Sequence, residues 1–127
     1  MLQQGDLVPH FDVTTLQDRN VRYSTIWQRR NLVLSSLPPS DPESSRAYTS
    51  QLAEEMPAFS EHETEWVVTR DIVAGLARPG VLVADRWGEI VHVAAGSDIA
   101  DLPRPCELFE WVTYLQSQCP ECEGEAK

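Results

Sequence analysis

The stretch Leu32-Val33-Leu34-Ser35-Ser36-Leu37-Pro38-Pro39-Ser40-Asp41-Pro42-Glu43 decides the architecture. Its first six residues are continuously apolar or small. Such a run is a strand of the kind found inside a sheet, covered on both faces. The prolines that follow stop it. Ser40 with Glu43 fits a capping box, and Asp41 before Pro42 fits an alternative cap with proline at the first helical position. Either arrangement starts a helix here. Tyr48, Leu52 and Met56 recur every four residues and mark its buried face. Pro57 is expected to end it.

Working outward, Phe11 to Leu16 alternates like a strand, Gln17-Asp18-Arg19-Asn20 is a polar turn, and Val21-Arg22-Tyr23 returns, which predicts an N-terminal β-hairpin. Ser24 caps a short turn reaching Trp27. Downstream, Glu61, His62, Glu63 and Glu65 read as an acidic loop before a short strand, Trp66-Val67-Val68-Thr69. Arg78-Pro79-Gly80 introduces Val81 to Asp85. Arg86-Trp87-Gly88 turns, and Glu89 to Val93 returns as a second hairpin. Leu108, Trp111, Val112 and Leu115 sit at i, i+3, i+4 and i+7 and mark a last amphipathic helix after Pro103 and Pro105. The expected fold class is therefore α/β, a central mixed sheet with helices on its faces and an N-terminal hairpin, without a clear helix between the fourth and fifth strands.

The chain has 127 residues, enough for one domain whose core buries roughly two-thirds of the unfolded surface. Ten basic residues against twenty acidic ones leave a net charge of −10. That balance argues against nucleic acid or an anionic membrane as partner, because both demand a basic footprint. No apolar run is long enough to span a bilayer. Met1 to Asp6 has neither a basic region nor an apolar stretch, so a cytoplasmic address is expected. The three cysteines, Cys106, Cys119 and Cys122, are too few and too clustered for a disulfide framework.

Three segments resemble the thioredoxin superfamily, in particular its peroxiredoxin (AhpC/TSA) and TlpA-like branch. Gly5 to Phe11 is similar to the family opening Gly-x-x-x-Pro-x-Phe. Leu32 to Pro39 is similar to the strand that runs into the active-site loop. Pro79 to Ile90 is similar to the late hairpin with its Asp-x-x-Gly-x-Ile turn. The resemblance implies a thioredoxin-like domain over residues 1–118, with 119–127 as an acidic tail. It also implies where chemistry belongs, and there the chain departs from the family. Ser40-Asp41-Pro42-Glu43 stands where thioredoxins have Cys-x-Pro-Cys. Counted from Pro39, Glu43 and Arg46 take the Thr and Cys places of the peroxiredoxin motif Pro-x-x-x-Thr-x-x-Cys. Pro79 stands where peroxiredoxins have their arginine and matches instead the cis-proline that lines the thioredoxin substrate groove; Arg78 before it is compatible with either isomer.

The family reaction needs a thiolate whose pKa is lowered at a helix N-terminus. Ser40 has no histidine nearby in sequence to activate it, and no cysteine occurs before Cys106. The expectation is a degenerate site formed by Ser40, Asp41, Pro42, Glu43 and Pro79. The chain would then be a non-catalytic binding or accessory protein with a protein or peptide partner and no cofactor. The rival reading rests on Cys119-Pro120-Glu121-Cys122, as a thiol–disulfide pair or half a metal site. Glu121, Glu123 and Glu125 would raise its thiol pKa values rather than lower them. Cys106 reads as a small buried residue. A helix of thirteen residues, about 20 Å, keeps it from pairing with Cys119. His62 reads as part of a solvated acidic loop rather than a metal ligand, and His10 and His92 as solvent-facing. Trp27, Trp66 and Trp111 read as packing residues, and Trp87, in a turn, as an exposed contact. Residues 31–65 carry seven acids against Arg46, an acidic surface open to a basic partner.

Overall fold

A computed structural model describes residues 2–38, 42–61 and 63–117. The elements run β1 (Asp12–Thr14), β2 (Asn20–Arg22), a 3₁₀ turn (Tyr23–Thr25), β3 (Asn31–Ser36), α1 (Pro42–Glu61), β4 (Thr64–Thr69), β5 (Gly80–Ala84), β6 (Ile90–Ala95), a second 3₁₀ turn (Ile99–Asp101) and α2 (Pro105–Ser117). β1 and β2 form the expected hairpin, with Val13 opposite Val21. The other four strands form one mixed sheet in the order β4-β3-β5-β6.

β3 sits inside that sheet, as its uninterrupted apolar run requires. It pairs in parallel with β4 (Asn31 with Thr64, Ser36 with Thr69) and antiparallel with β5 (Leu32 with Ala84, Ser36 with Gly80). All six of its residues are buried. Residues 70–79 join β4 to β5 without a helix. Val73 and Leu76 of this connection are buried against Leu34, Val67 and Leu82.

The two faces of the sheet are covered differently. Leu32, Leu34, Val67, Leu82 and Ile90 point to one face, where Phe11, Val13, Val21, Tyr23 and Ile26 from the N-terminal segment, hairpin and first 3₁₀ turn close over them. Val33, Leu37, Val68, Val81 and Val83 point to the other face, against Tyr48 of α1 and Leu108, Val112 and Leu115 of α2. Both described helices thus share one face instead of dividing between two. The period-2 alternation of strand side chains supplies an apolar set for each face, but only the crossover direction decides which face a helix takes.

Four local expectations need correction. Pro57 does not end the first helix, which continues to Glu61. A proline removes one N–H donor and crowds one carbonyl, a penalty that a long helix can absorb. The side chains of Leu52 and Met56 lie outside the described part, so of that expected stripe only Tyr48 is placed, and it is buried. The acidic stretch is not one loop either. Glu61 closes α1, Glu63 adopts a left-handed turn (φ 52°), and Glu65 lies in β4, facing Arg19 at 3.4 Å and Arg30 at 3.8 Å. Trp27 is 47% exposed rather than packed away. His92, expected in solvent, is partly buried and stacks on Trp111, with ring centroids 4.8 Å apart.

Candidate functional site

The register defines two ends of the sheet. At the upper end lie Ser36, Thr69, Gly80 and Ala95; at the lower end lie Asn31, Thr64, Ala84 and Ile90. Five strand steps of ~3.3 Å put these ends about 17 Å apart. The upper end is where β3 delivers the chain towards α1 and where Pro79 enters β5. Ser40 and Asp41 lie outside the described residues. Pro42 opens α1, Glu43 is exposed in its first turn, and Pro79 is buried behind a cis peptide bond with Arg78.

The polar groups at this end are mostly committed to holding the fold. The Ser36 hydroxyl donates to the Asp71 carbonyl at 3.0 Å, and the Leu37 N–H to the Thr69 carbonyl at 2.8 Å. Thr69 donates its hydroxyl proton to the Thr14 carbonyl at 2.7 Å and accepts from the Asp71 N–H at 3.0 Å. The Asp71 carboxylate accepts from the Thr14 N–H at 2.8 Å, and the Arg78 guanidinium donates to the Arg70 carbonyl at 2.8 Å. These bonds stitch the hairpin and the 70–79 connection to the sheet.

Two hydroxyls here are different. Ser35 and Ser45 are fully buried, and neither oxygen has a partner in hydrogen-bond geometry. Ser35 lies near enough to the Tyr48 phenol to favour its ionised form, yet Tyr48 donates to the Pro103 carbonyl at 3.0 Å. Burial dominates and pushes the Tyr48 phenol well above its ordinary value, with the Glu107 carboxylate adding to the rise. Tyr48 is therefore a neutral donor at physiological pH.

A second count is open one residue earlier. Counted from Pro38, the spacing Pro-x-x-x-Thr-x-x-Cys puts Pro42 at the threonine and Ser45 at the cysteine. Burial favours this frame, since Ser45 points into the protein while Arg46 is exposed. The signal was in the sequence as a second proline one residue earlier, but only the helix phase distinguishes the two frames. A buried serine hydroxyl becomes a nucleophile only with a base beside it. Of the described histidines, His10 is exposed and His92 pairs with Val83 in the lower half of the sheet. Burial holds the His92 imidazole below its ordinary pKa, partly offset by Glu107.

Among the described residues no cluster of His, Cys, Asp and Glu could hold a metal ion. Cys119, Cys122 and His62 lie outside the described residues, as does the side chain of Cys106, whose backbone belongs to the first turn of α2.

No family model matches the sequence, and no curated protein is recognisably similar to it. Solved structures match the architecture closely. The reduced 2-Cys peroxiredoxin of Plasmodium vivax superposes with a TM-score of 0.74 over 90% of this chain and 82% of its own, at 12% identity. The AhpC of Mycobacterium tuberculosis gives 0.72 over 95% and 98%, also at 12% identity. The fold is thioredoxin-like, with peroxiredoxins as its neighbours. A peroxiredoxin-like protein from Aquifex aeolicus shares this thioredoxin-like fold at a TM-score of 0.62 and 15% identity, over 90% of this chain and 88% of its own. Identities this low describe the path of the backbone. What the thioredoxin-like frame does in this chain has to be read from its own side chains.

Proposed function

We propose that this chain is a thioredoxin/peroxiredoxin-like protein with a degenerate active site, acting as a non-catalytic binding or accessory protein related to redox proteins. One observation carries the reading. Counted from Pro38, the place of the family thiol falls at Ser45, a hydroxyl that is buried and has no hydrogen-bond partner among the described residues. The family chemistry needs a thiolate as nucleophile, and a serine hydroxyl is not appreciably ionised near neutral pH. The neighbouring hydroxyls of Ser36 and Thr69 already bind backbone carbonyls.

The test is a pair of turnover assays on the full chain, hydrogen peroxide consumption with dithiothreitol and insulin-disulfide reduction. Each is run beside a Cys119→Ser, Cys122→Ser double variant. The expected result is no rate above the thiol-only background for either protein, with unchanged unfolding midpoints. Turnover that disappears in the double variant would overturn the reading and move the chemistry to the Cys119–Cys122 pair. Stoichiometric zinc in protein purified without chelator, lost in the same variant, would instead make that pair a metal site.

A further inference from the structure

An open groove lies at the lower end of the sheet, away from the degenerate site. It wraps the edge strand β6. One wall is the N-terminal segment, which pairs with the end of the β5–β6 hairpin: the Gly5 N–H donates to the Ile90 carbonyl at 2.8 Å, and the Ile90 N–H to the Asp6 carbonyl at 2.9 Å. The floor is the hairpin end itself, and the other wall is the outer face of α2. The enclosed space is about 1200 Å³. That is larger than a usual small-molecule pocket of about 300–1,000 Å³, and open enough for an extended chain.

Its lining has a definite chemistry. Trp87, Trp111 and Tyr114 contribute aromatic rings, and Asp85, Glu89 and Glu110 contribute carboxylates, while no arginine, lysine or histidine among the described residues lines it. Trp87 is 51% exposed and Tyr114 48%, and Leu7 at the rim is 70% exposed. Trp111 and Tyr114 meet edge to face, with centroids 6.1 Å apart and an interplanar angle of 87°. The Asp85 carboxylate is pinned by the N–H groups of Trp87 (2.9 Å) and Glu89 (3.0 Å), which also fix the turn that displays Trp87. Glu89 and Glu110 make no ion pair among the described residues.

Trp111 keeps one face against His92, so Trp87 and Tyr114 are the exposed rings. An exposed ring beside carboxylates attracts cations twice, through the ring quadrupole and through charge. We infer that this groove docks an extended, arginine- or lysine-bearing segment of a protein partner, with the exposed ring of Trp87 receiving a cationic side chain. Charge selects that occupant over the others. Nucleic acid and anionic lipid carry the wrong sign, and so does the chain's own tail with Glu121, Glu123 and Glu125. A second copy would bring a further net charge of −10. The inference rests on the reading of this chain as a binding protein and moves its docking surface to the end of the sheet opposite the degenerate site.

The probe is a hexaarginine peptide, titrated against the full chain while the indole N–H resonances are followed by NMR, with a Gly-Ser peptide of equal length as control. The expected result is binding confined to hexaarginine, shifts centred on Trp87 and Trp111, and weakening as salt rises from about 0.05 to about 0.5 M. A net charge of −10 attracts any polycation, so the variants decide specificity. Trp87→Ala leaves the charge untouched and should weaken binding about three- to five-fold, the worth of one exposed cation–π face. Glu89→Gln with Glu110→Gln should weaken it further. Asp18→Asn with Glu54→Gln, the same charge change at exposed positions outside the groove, should leave the indole shifts in place. Binding that ignores Trp87→Ala and responds equally to both double variants would overturn the inference, as would absence of binding. A dimer in sedimentation that Trp87→Ala dissociates would also overturn it, because the groove would then belong to a second copy. The turnover assays read the non-catalytic reading separately on the same samples.

Discussion

At the scale of single residues, the fold tolerates a few polar atoms that do no bonding. Ser45 is the clearest, buried in the first turns of α1 with its hydroxyl unpartnered. An unpaired buried hydroxyl costs its lost hydration, about 1–3 kcal/mol, and returns nothing. Ser45→Ala should therefore leave stability unchanged or raise it by up to about 1 kcal/mol in urea unfolding. A loss of more than that would mean that the hydroxyl has a partner in solution. His92 makes the opposite kind of prediction. Its imidazole is held below the ordinary value of 6.5 by burial, with Glu107 opposing. Between the folded and unfolded pKa values the unfolded chain holds more protons, so His92 removes stability as pH falls below about 6.5. His92→Phe keeps a ring against Trp111 and deletes the titration. The fall in urea midpoint between about pH 7 and about pH 5 should be smaller in the variant than in the parent, and equal falls would refute the assignment.

At the scale of elements, α1 and the β5–β6 hairpin show how local rules are met or overridden. The hairpin obeys them. Gly88 adopts a φ of +87°, and a Cβ there would come within 2.8 Å of the Tyr23 hydroxyl, so glycine suits both the turn and the space. Asp85 accepts the two N–H groups that such a turn leaves free. The helix disobeys them at Pro57, which lies four residues before its end at Glu61. Pro57→Ala should restore a backbone hydrogen bond and raise stability by about 1–3 kcal/mol, read as an increased unfolding midpoint with unchanged urea slope. A decrease would show that proline at this position is needed for packing. The acidic stretch after it was misread for a related reason. Charge composition resembles a loop, but Glu65 can sit in a strand because Arg19 and Arg30 stand opposite it.

At the scale of the whole molecule, charge dominates behaviour. A net charge of −10 on 127 residues repels itself in the compact state. Added sodium chloride screens that repulsion over about 10 Å at 0.1 M. The unfolding temperature should therefore rise between about 0.02 and about 0.3 M salt, since the described ion pairs are few and partly solvated. A falling temperature would mean that the ion pairs of Arg19 and Arg30 with Glu65 outweigh the global repulsion. No described helix is long and apolar enough to cross a membrane.

The sequence by itself determined the element order. The apolar run of β3, the proline-bounded start of α1, the i, i+3, i+4, i+7 stripe of α2 and the turn at Gly88 are all local patterns, and local patterns are legible because neighbouring residues create them. It also determined that no cysteine precedes Cys106. Only tertiary structure decided that both helices share one face, because strand periodicity is symmetric between faces until the chain crosses over. Only the helix phase buried Ser45 and exposed Arg46, where two adjacent prolines offered two frames. The stacking of His92 on Trp111 and the exposure of Trp27 likewise depend on residues distant in sequence. So does the aromatic and acidic groove, whose lining comes from residues 4–7, 85–91 and 110–114. Trp87 could be singled out early because a hairpin turn holds its residues away from the core. Its neighbours Trp111 and Glu110 could not, because what a helix residue faces is set by the sheet it packs against.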